Sequence, residues 1–287
     1  MIGRAACRGA ATIVNAIATG KGAAFGISLE TDAFAELEEG PGEILIPESG
    51  EGSQLVAGCV RAVAARAARG DVHGRVTIKS EIPISRGLKS SSAVSNAVSL
   101  AAARALDAKL TDMDLILTGI EESIKAGVTI TGAFDDAAAC YLGGVVVTDN
   151  RSFTILSRGR MDPDLSVVIH VPDRRITKAS VKGLDFSPIR EKVEAAFDLA
   201  MKGSYMKAME LNSRAYARVL DVSEDAAEIA RKHGALAAGI SGTGPATVAL
   251  CAHTEASGIV RALEPLGGTV LRAHINDTPA PEVVPRL

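Results

Sequence analysis

Pro83-Ile84-Ser85-Arg86-Gly87-Leu88-Lys89-Ser90-Ser91-Ser92-Ala93 joins an alternating apolar stretch (Val76, Ile78, Ile82) to an Ala-rich run over about 91–107. The spacing predicts strand, loop, then helix. Glycine lets a backbone approach a ligand without a Cβ. The first turn of the helix carries unpaired N–H groups and the positive end of its dipole. The serines add hydroxyls and Lys89 a full charge, so the segment reads as a phosphate cradle. The same residues also suit an ordinary Ser-capped helix after a turn. A Walker A loop, G-x-x-x-x-G-K-[ST], is excluded, because Leu88 separates Gly87 from Lys89. The Gly20, Gly22, Gly26 spacing has no regular β-α-β context behind it, which argues against a dinucleotide fingerprint.

A second glycine-rich loop, Gly239-Ile240-Ser241-Gly242-Thr243-Gly244-Pro245, joins two apolar segments. A tight turn needs one or two glycines; a third favours N–H groups converging on an anion. Acidic residues gather at Glu121-Glu122, on a predicted helix, and at Asp135-Asp136, before the apolar stretch AAACYLGGVVV. The two aspartates are either solvated at a helix start or held in a site. Phosphoryl transfer needs an acidic magnesium ligand and often a carboxylate near the attacking hydroxyl.

The rest of the chain reads as strands and helices without strict alternation, an α+β pattern. Residues 10–30 predict strand, loop, strand, and 53–69 predict a helix. Thr111 with Asp114 marks a capped helix over 112–126, and VVVTD predicts a strand after Gly143-Gly144. Beyond about 150 the expected order is two strands (153–157 and 165–171) and three helices (188–202, 204–220 and 223–233). Strand 245–252, helix 255–265 and strand 269–275 follow. Ser187 and Pro188 are expected as N-cap and N1, and TPAPEVVPRL as an extended tail.

Composition excludes several classes. The net charge of −3 gives no basic face for nucleic acid. No segment approaches the roughly 18 apolar residues of a membrane span, so a cytoplasmic protein is expected. Cys7, Cys59, Cys140 and Cys251 are scattered, as buried thiols of a reducing compartment would be. Aromatics make up only 3% of the 287 residues, so alanine and small aliphatics must fill most of the core.

Taken together, PISRGLKSSSA resembles the P-x-x-x-G-L-G-S-S-A-A loop of the GHMP kinases. GISGTGP is similar to their C-terminal glycine motif, AATIVNAIATGKGAAFGISL to their N-terminal motif and TGAFDDAAACYLGG to their central acidic segment. Lys89 stands where most of that superfamily has glycine, and the combination resembles the archaeal-type shikimate kinases. The resemblance implies a ribosomal-S5-like domain over 1–150 and a ferredoxin-like domain over 151–287, with the site between them. It implies transfer from ATP, with Mg2+, to shikimate, giving shikimate 3-phosphate. Homoserine kinase and a non-catalytic metabolite sensor are the alternatives. By the same resemblance Pro83 to Ser92 bind ATP, and Ser91 and Glu122 hold the metal. Asp135 or Asp136, with Lys89, serves catalysis, and Ser241, Gly242, Thr243 and Gly244 lie near the acceptor. Arg174, Arg175 and Lys178 are candidates for the substrate carboxylate, or else a solvated basic turn. The oligomeric state is left open.

Overall fold

The computed structural model describes residues 1–47, 52–129, 132–174, 176 and 181–285. Two long strands, β1 (Ile2–Val14) and β2 (Lys21–Glu39), form an antiparallel hairpin in which Ile2 faces Glu36 and Val14 faces Ala23. Both run further than the sequence suggests. β2 is the spine of the first sheet: its far half pairs with β4 (Val72–Ser80), its near half with β5 (Val145–Asp149). The short β3 (Ile44–Leu45) lies parallel to β4, and β6 (Thr154–Gly159) pairs with β5. The far half of β2 alternates buried and less buried positions, as a half-solvated strand should. Its near half is buried on both faces, and there the two halves of the molecule meet.

The helical layer is α1 (Ser53–Arg66), α2 (Ser90–Ala105), α3 (Asp112–Lys125) and α4 (Phe134–Leu142). α2 crosses β1 and β2 and has α1 and α3 outside it. Ala93, Ala97, Ala101 and Ala102 are fully buried along α2. Small residues let the helix sit close to the sheet, which is how a core with so few aromatics stays dense. α3 begins as expected: Asp114 N–H donates to Thr111 Oγ1 at 3.1 Å, and Thr111 N–H to Asp114 Oδ2 at 2.9 Å.

The second sheet holds β7 (Leu165–Val171), β8 (Ala235–Ile240), β9 (Thr247–Ala252) and β10 (Thr269–His274). Its order is β10-β7-β9-β8, antiparallel throughout, which is the ferredoxin-like order 4-1-3-2. Helices α5 (Arg190–Met201), α6 (Tyr205–Val219), α7 (Asp225–Lys232) and α8 (His253–Leu263) accompany it. α7 and α8 close a small separate core around Val168, Ala230, Ala249 and Ile259. α6 packs on both β8 and β1 and so spans the two halves.

The first sheet runs on to Gly159, past the β5–β6 turn between Asp149 and Thr154. Two expectations change. Ser187 does not cap a helix with its side chain. Its N–H and hydroxyl both donate to Asp185, at 2.9 Å each, and a short 3-10 turn precedes α5. The C-terminal segment is not an extended tail. Asn276 bridges to the first sheet, donating to Gly26 O at 3.0 Å and accepting from Gly144 N at 2.8 Å. A short α9 (Ala280–Val283) then docks on β1, where Arg104 donates to Pro281 O and Val284 O at 2.8 Å each. Proline suits the start of a helix, where its missing N–H is no loss.

Candidate active site

A cavity of about 500 Å³ opens between the two halves. Its wall includes every residue from Pro83 to Ser92, then Asp135, Asp136, Gly242, Thr243 and Gly244. Two loops more than a hundred residues apart therefore face one space. They are tied directly: Ser241 Oγ donates to Gly87 O at 2.8 Å and Ala246 N to Arg86 O at 3.1 Å. Gly87 has φ +86°, and a Cβ there would stand 2.1 Å from Ser241 O, so only glycine fits. Ser241 is fully buried and accepts from Thr12 N at 3.2 Å; it joins the loops and does not line the cavity.

α2 meets the cavity with its N-terminus. Lys89, at the cap position, is left-handed with φ 65°, and no side chain caps the helix. Ser90, Ser91 and Ser92 line the wall there, so the unpaired N–H groups of the first turn point to an anion site. Lys89 itself turns inward. It is 9% exposed, and its Nζ lies 2.9 Å from Asp136 Oδ1, in ion-pair contact without hydrogen-bond alignment. The ammonium also lies close against Gly242. One cation thus touches the phosphate loop, the start of α4 and the second glycine loop.

The adjacent aspartates separate in role. Asp136 faces Lys89. Asp135 is 3% exposed; its Oδ1 accepts from Asn150 Nδ2 at 2.7 Å, and its Oδ2 lies against Gly22, where a Cβ would stand 2.4 Å away. Burial, then the charge of Asp136, pushes the Asp135 carboxyl up to about 7, against the pull of Lys89 and Asn150. Burial likewise pushes the thiols of Cys7 and Cys59 up to about 12, which leaves them protonated at neutral pH.

Other expected site residues lie elsewhere. Glu122 is buried, but its carboxylate closes over Gly58 of α1, accepts from Lys125 Nζ at 2.5 Å and does not line the cavity. Arg174 donates to Asp221 O at 2.7 Å and also lies off the wall. Arg175 and Lys178 lie outside the described residues. Sequence reasoning did not single out the β1–β2 turn, whose Asn15, Ala16 and Ile17 line the cavity. Asn15 is braced by bonds from its Nδ2 to Gly242 O at 2.8 Å and from Ile17 N to its Oδ1 at 3.0 Å. The Asn15-to-Gly22 turn sits in a quoted motif, so its proximity was available as a signal.

Comparisons with known proteins match segments of both halves of the chain. Residues 54–144 match the GHMP kinases N terminal domain, and residues 191–266 the GHMP kinases C terminal domain. The shikimate kinase of Methanothrix thermoacetophila is 40% identical, covering 98% of this chain and 96% of its own. That of Pyrococcus furiosus is 42% identical, covering 86% of this chain and 90% of its own. In structure, the homoserine kinase of Cytophaga hutchinsonii matches with a TM-score of 0.77 at 18% identity, with 96% of each chain covered. The L. major mevalonate kinase in complex with R-mevalonate matches with a TM-score of 0.74 at 19% identity, again over 96% of each chain. These last two share the fold. With its two-part fold, its uncapped helix end on the cavity and relatives of this similarity along nearly its whole length, the chain belongs to the GHMP kinase family, in the branch of the archaeal shikimate kinases.

Proposed function

We propose that this chain transfers the γ-phosphoryl group of ATP to a ring hydroxyl of shikimate. The observation that carries the reading is the Lys89–Asp136 ion pair, set between the uncapped end of α2 and Gly242. The nucleotide's phosphates lie along Ser90, Ser91 and Ser92, held by N–H groups and hydroxyls. The acceptor lies beyond them, by Asn15, Asp136 and Thr243. Asp136 takes the proton from the attacking hydroxyl. Lys89 faces that carboxylate at 2.9 Å, and its N–H groups meet the charge on the transferred phosphoryl. Among the described residues of the wall, Arg86 and Lys89 are the cations; Arg86 Nη1 donates to Pro172 O and Arg174 O, so the acceptor's carboxylate would take the guanidinium's remaining N–H groups.

Mg2+ fits this donor set as an ion carried by the nucleotide. No group of three or more His, Cys, Asp or Glu among the described residues forms a protein-only cage. Magnesium needs only one or two protein oxygens beside phosphates. Ser91, on the cavity wall, supplies one; Glu122, the second ligand that the family resemblance implies, is turned to Gly58 and Lys125. When bound, the ion neutralises and orients the phosphate oxygens. The test is ADP formation with shikimate, homoserine or mevalonate, with and without a chelator. Turnover that depends on shikimate and on a divalent cation is expected. Preference for another acceptor, or full activity in excess chelator, overturns the reading.

A further inference from the structure

Asn150 lies outside every motif that pointed to the site. It follows β5, is 4% exposed, and its backbone N–H is held by Gly20 O at 2.8 Å. Its side chain is engaged at both ends. Oδ1 accepts from Asp135 N–H at 3.2 Å and from Thr148 Oγ1 at 2.7 Å; Nδ2 donates to Asp135 Oδ1 at 2.7 Å. The orientation of the carboxamide follows from its partners: a backbone N–H needs the oxygen, and a flipped amide would set N–H against N–H.

α4 has no cap of its own. Its N-cap residue, Ala133, is left-handed with φ 47° and makes no side-chain bond. Asn150 therefore supplies from the turn after β5 the acceptor that a Ser or Asp usually supplies locally. Asp135 is clamped between that carboxamide and the bare backbone of Gly22, and this sets the first turn of α4. Asp136 is the next residue of the turn, so its direction is set with it.

We infer that Asn150 is a positioning residue for phosphoryl transfer, holding Asp136 on the attacking hydroxyl by clamping Asp135 and capping α4. The inference rests on Asp136 as the base, and its test separates the two. N150D keeps an oxygen for the Asp135 N–H and for Thr148, but sets a carboxylate where Asp135 Oδ1 now receives a donor. At saturating shikimate and ATP, its kcat should fall by about 10²-fold, the scale of a misplacement near 1 Å. KM for ATP should stay within about threefold, because the phosphate cradle is built on α2 and not on α4. The reciprocal D135N/N150D exchange again pairs one carboxamide with one carboxylate, and should recover at least about tenfold in kcat over N150D. A filling role alone would spare N150D and give the exchange no advantage. N150D within about threefold of wild-type kcat, or an exchange that melts like wild type yet stays as slow as N150D, overturns the role. If N150D does not fold, N150A is read by the same kcat limit. A wild-type protein without shikimate-dependent turnover overturns the activity and this role together; a working wild type beside an unaffected Asn150 variant overturns this role alone.

Discussion

Helix α3 begins at Thr111 with the hydroxyl and the Asp114 carboxylate closing on each other's backbone N–H groups, on an exposed surface. Helix α2 begins at Lys89 with no side chain on its first turn and with its cap residue in a left-handed conformation. One helix end is completed from within; the other is left open toward a cavity. A left-handed non-glycine residue costs about 1–2 kcal/mol, and glycine at this position would avoid it. The lysine's side chain is what the position holds, and that side chain reaches Asp136. Where the fold finishes its own helix end, the residues stabilise. Where it does not, they face the cavity. α4 is a third case, finished from a distance by Asn150.

The contrast breaks most sharply at Asp136. D136N should lower kcat by about 10²–10⁴-fold with little change in KM for ATP. If the loss stays within about threefold, catalysis rests on positioning and charge alone. At the open end of α2, S91A should lower kcat by about 10²-fold, the scale of losing one preorganised donor. Its melting temperature should hold, because this helix end draws no stability from its own hydroxyls. A large loss of stability with unchanged kinetics would make α2 an ordinary capped helix.

Asp135 sharpens the comparison through pH. Its folded carboxyl titrates at about 7 against 3.8 unfolded, so between those values the native state binds the extra proton. Stability contributed by this group is therefore present at acid pH and lost as pH rises through about 7. Unfolding free energies of wild type and D135N, measured by urea melts from pH 4 to 8, should diverge across that window, with D135N the flatter. Parallel curves would mean that Asp135 is as ionised in the folded protein as in the unfolded one. The smallest effect belongs to the finished end. T111A should cost about 0.5–2 kcal/mol of stability, with kcat unchanged in the folded fraction. A kinetic defect in T111A would erase the distinction between the two helix starts.

The parts of the site legible in the sequence were those whose chemistry is local. Thr111-x-x-Asp114 is a complete cap within four residues, and Pro83 to Ala93 carries its glycine, lysine and serines in one run. The two glycine loops facing one cavity also followed from the family pattern. What escaped depends on partners far along the chain. Helical periodicity places Glu122 on a face of α3, but Gly58 of α1 makes the space that draws its carboxylate from the cavity wall. Ser241 sits in a glycine loop and looks exposed until Thr12 and Gly87 are seen to take both sides of its hydroxyl. Asp135 and Asp136 were indistinguishable as neighbours; Asn150 and Lys89 tell them apart.

The return of the C-terminal segment to the first sheet bears on the order in which the molecule is made. β1 leaves the ribosome long before α9, yet α9 packs on it and Arg104 of α2 grips the carbonyls of Pro281 and Val284. The half built on the first sheet is thus discontinuous in the chain and is closed by residues synthesised after the whole second sheet. A nascent chain halted after β6 has its hairpin and helices but not this closing piece. Translation therefore delivers the whole second sheet before the last piece of the first half.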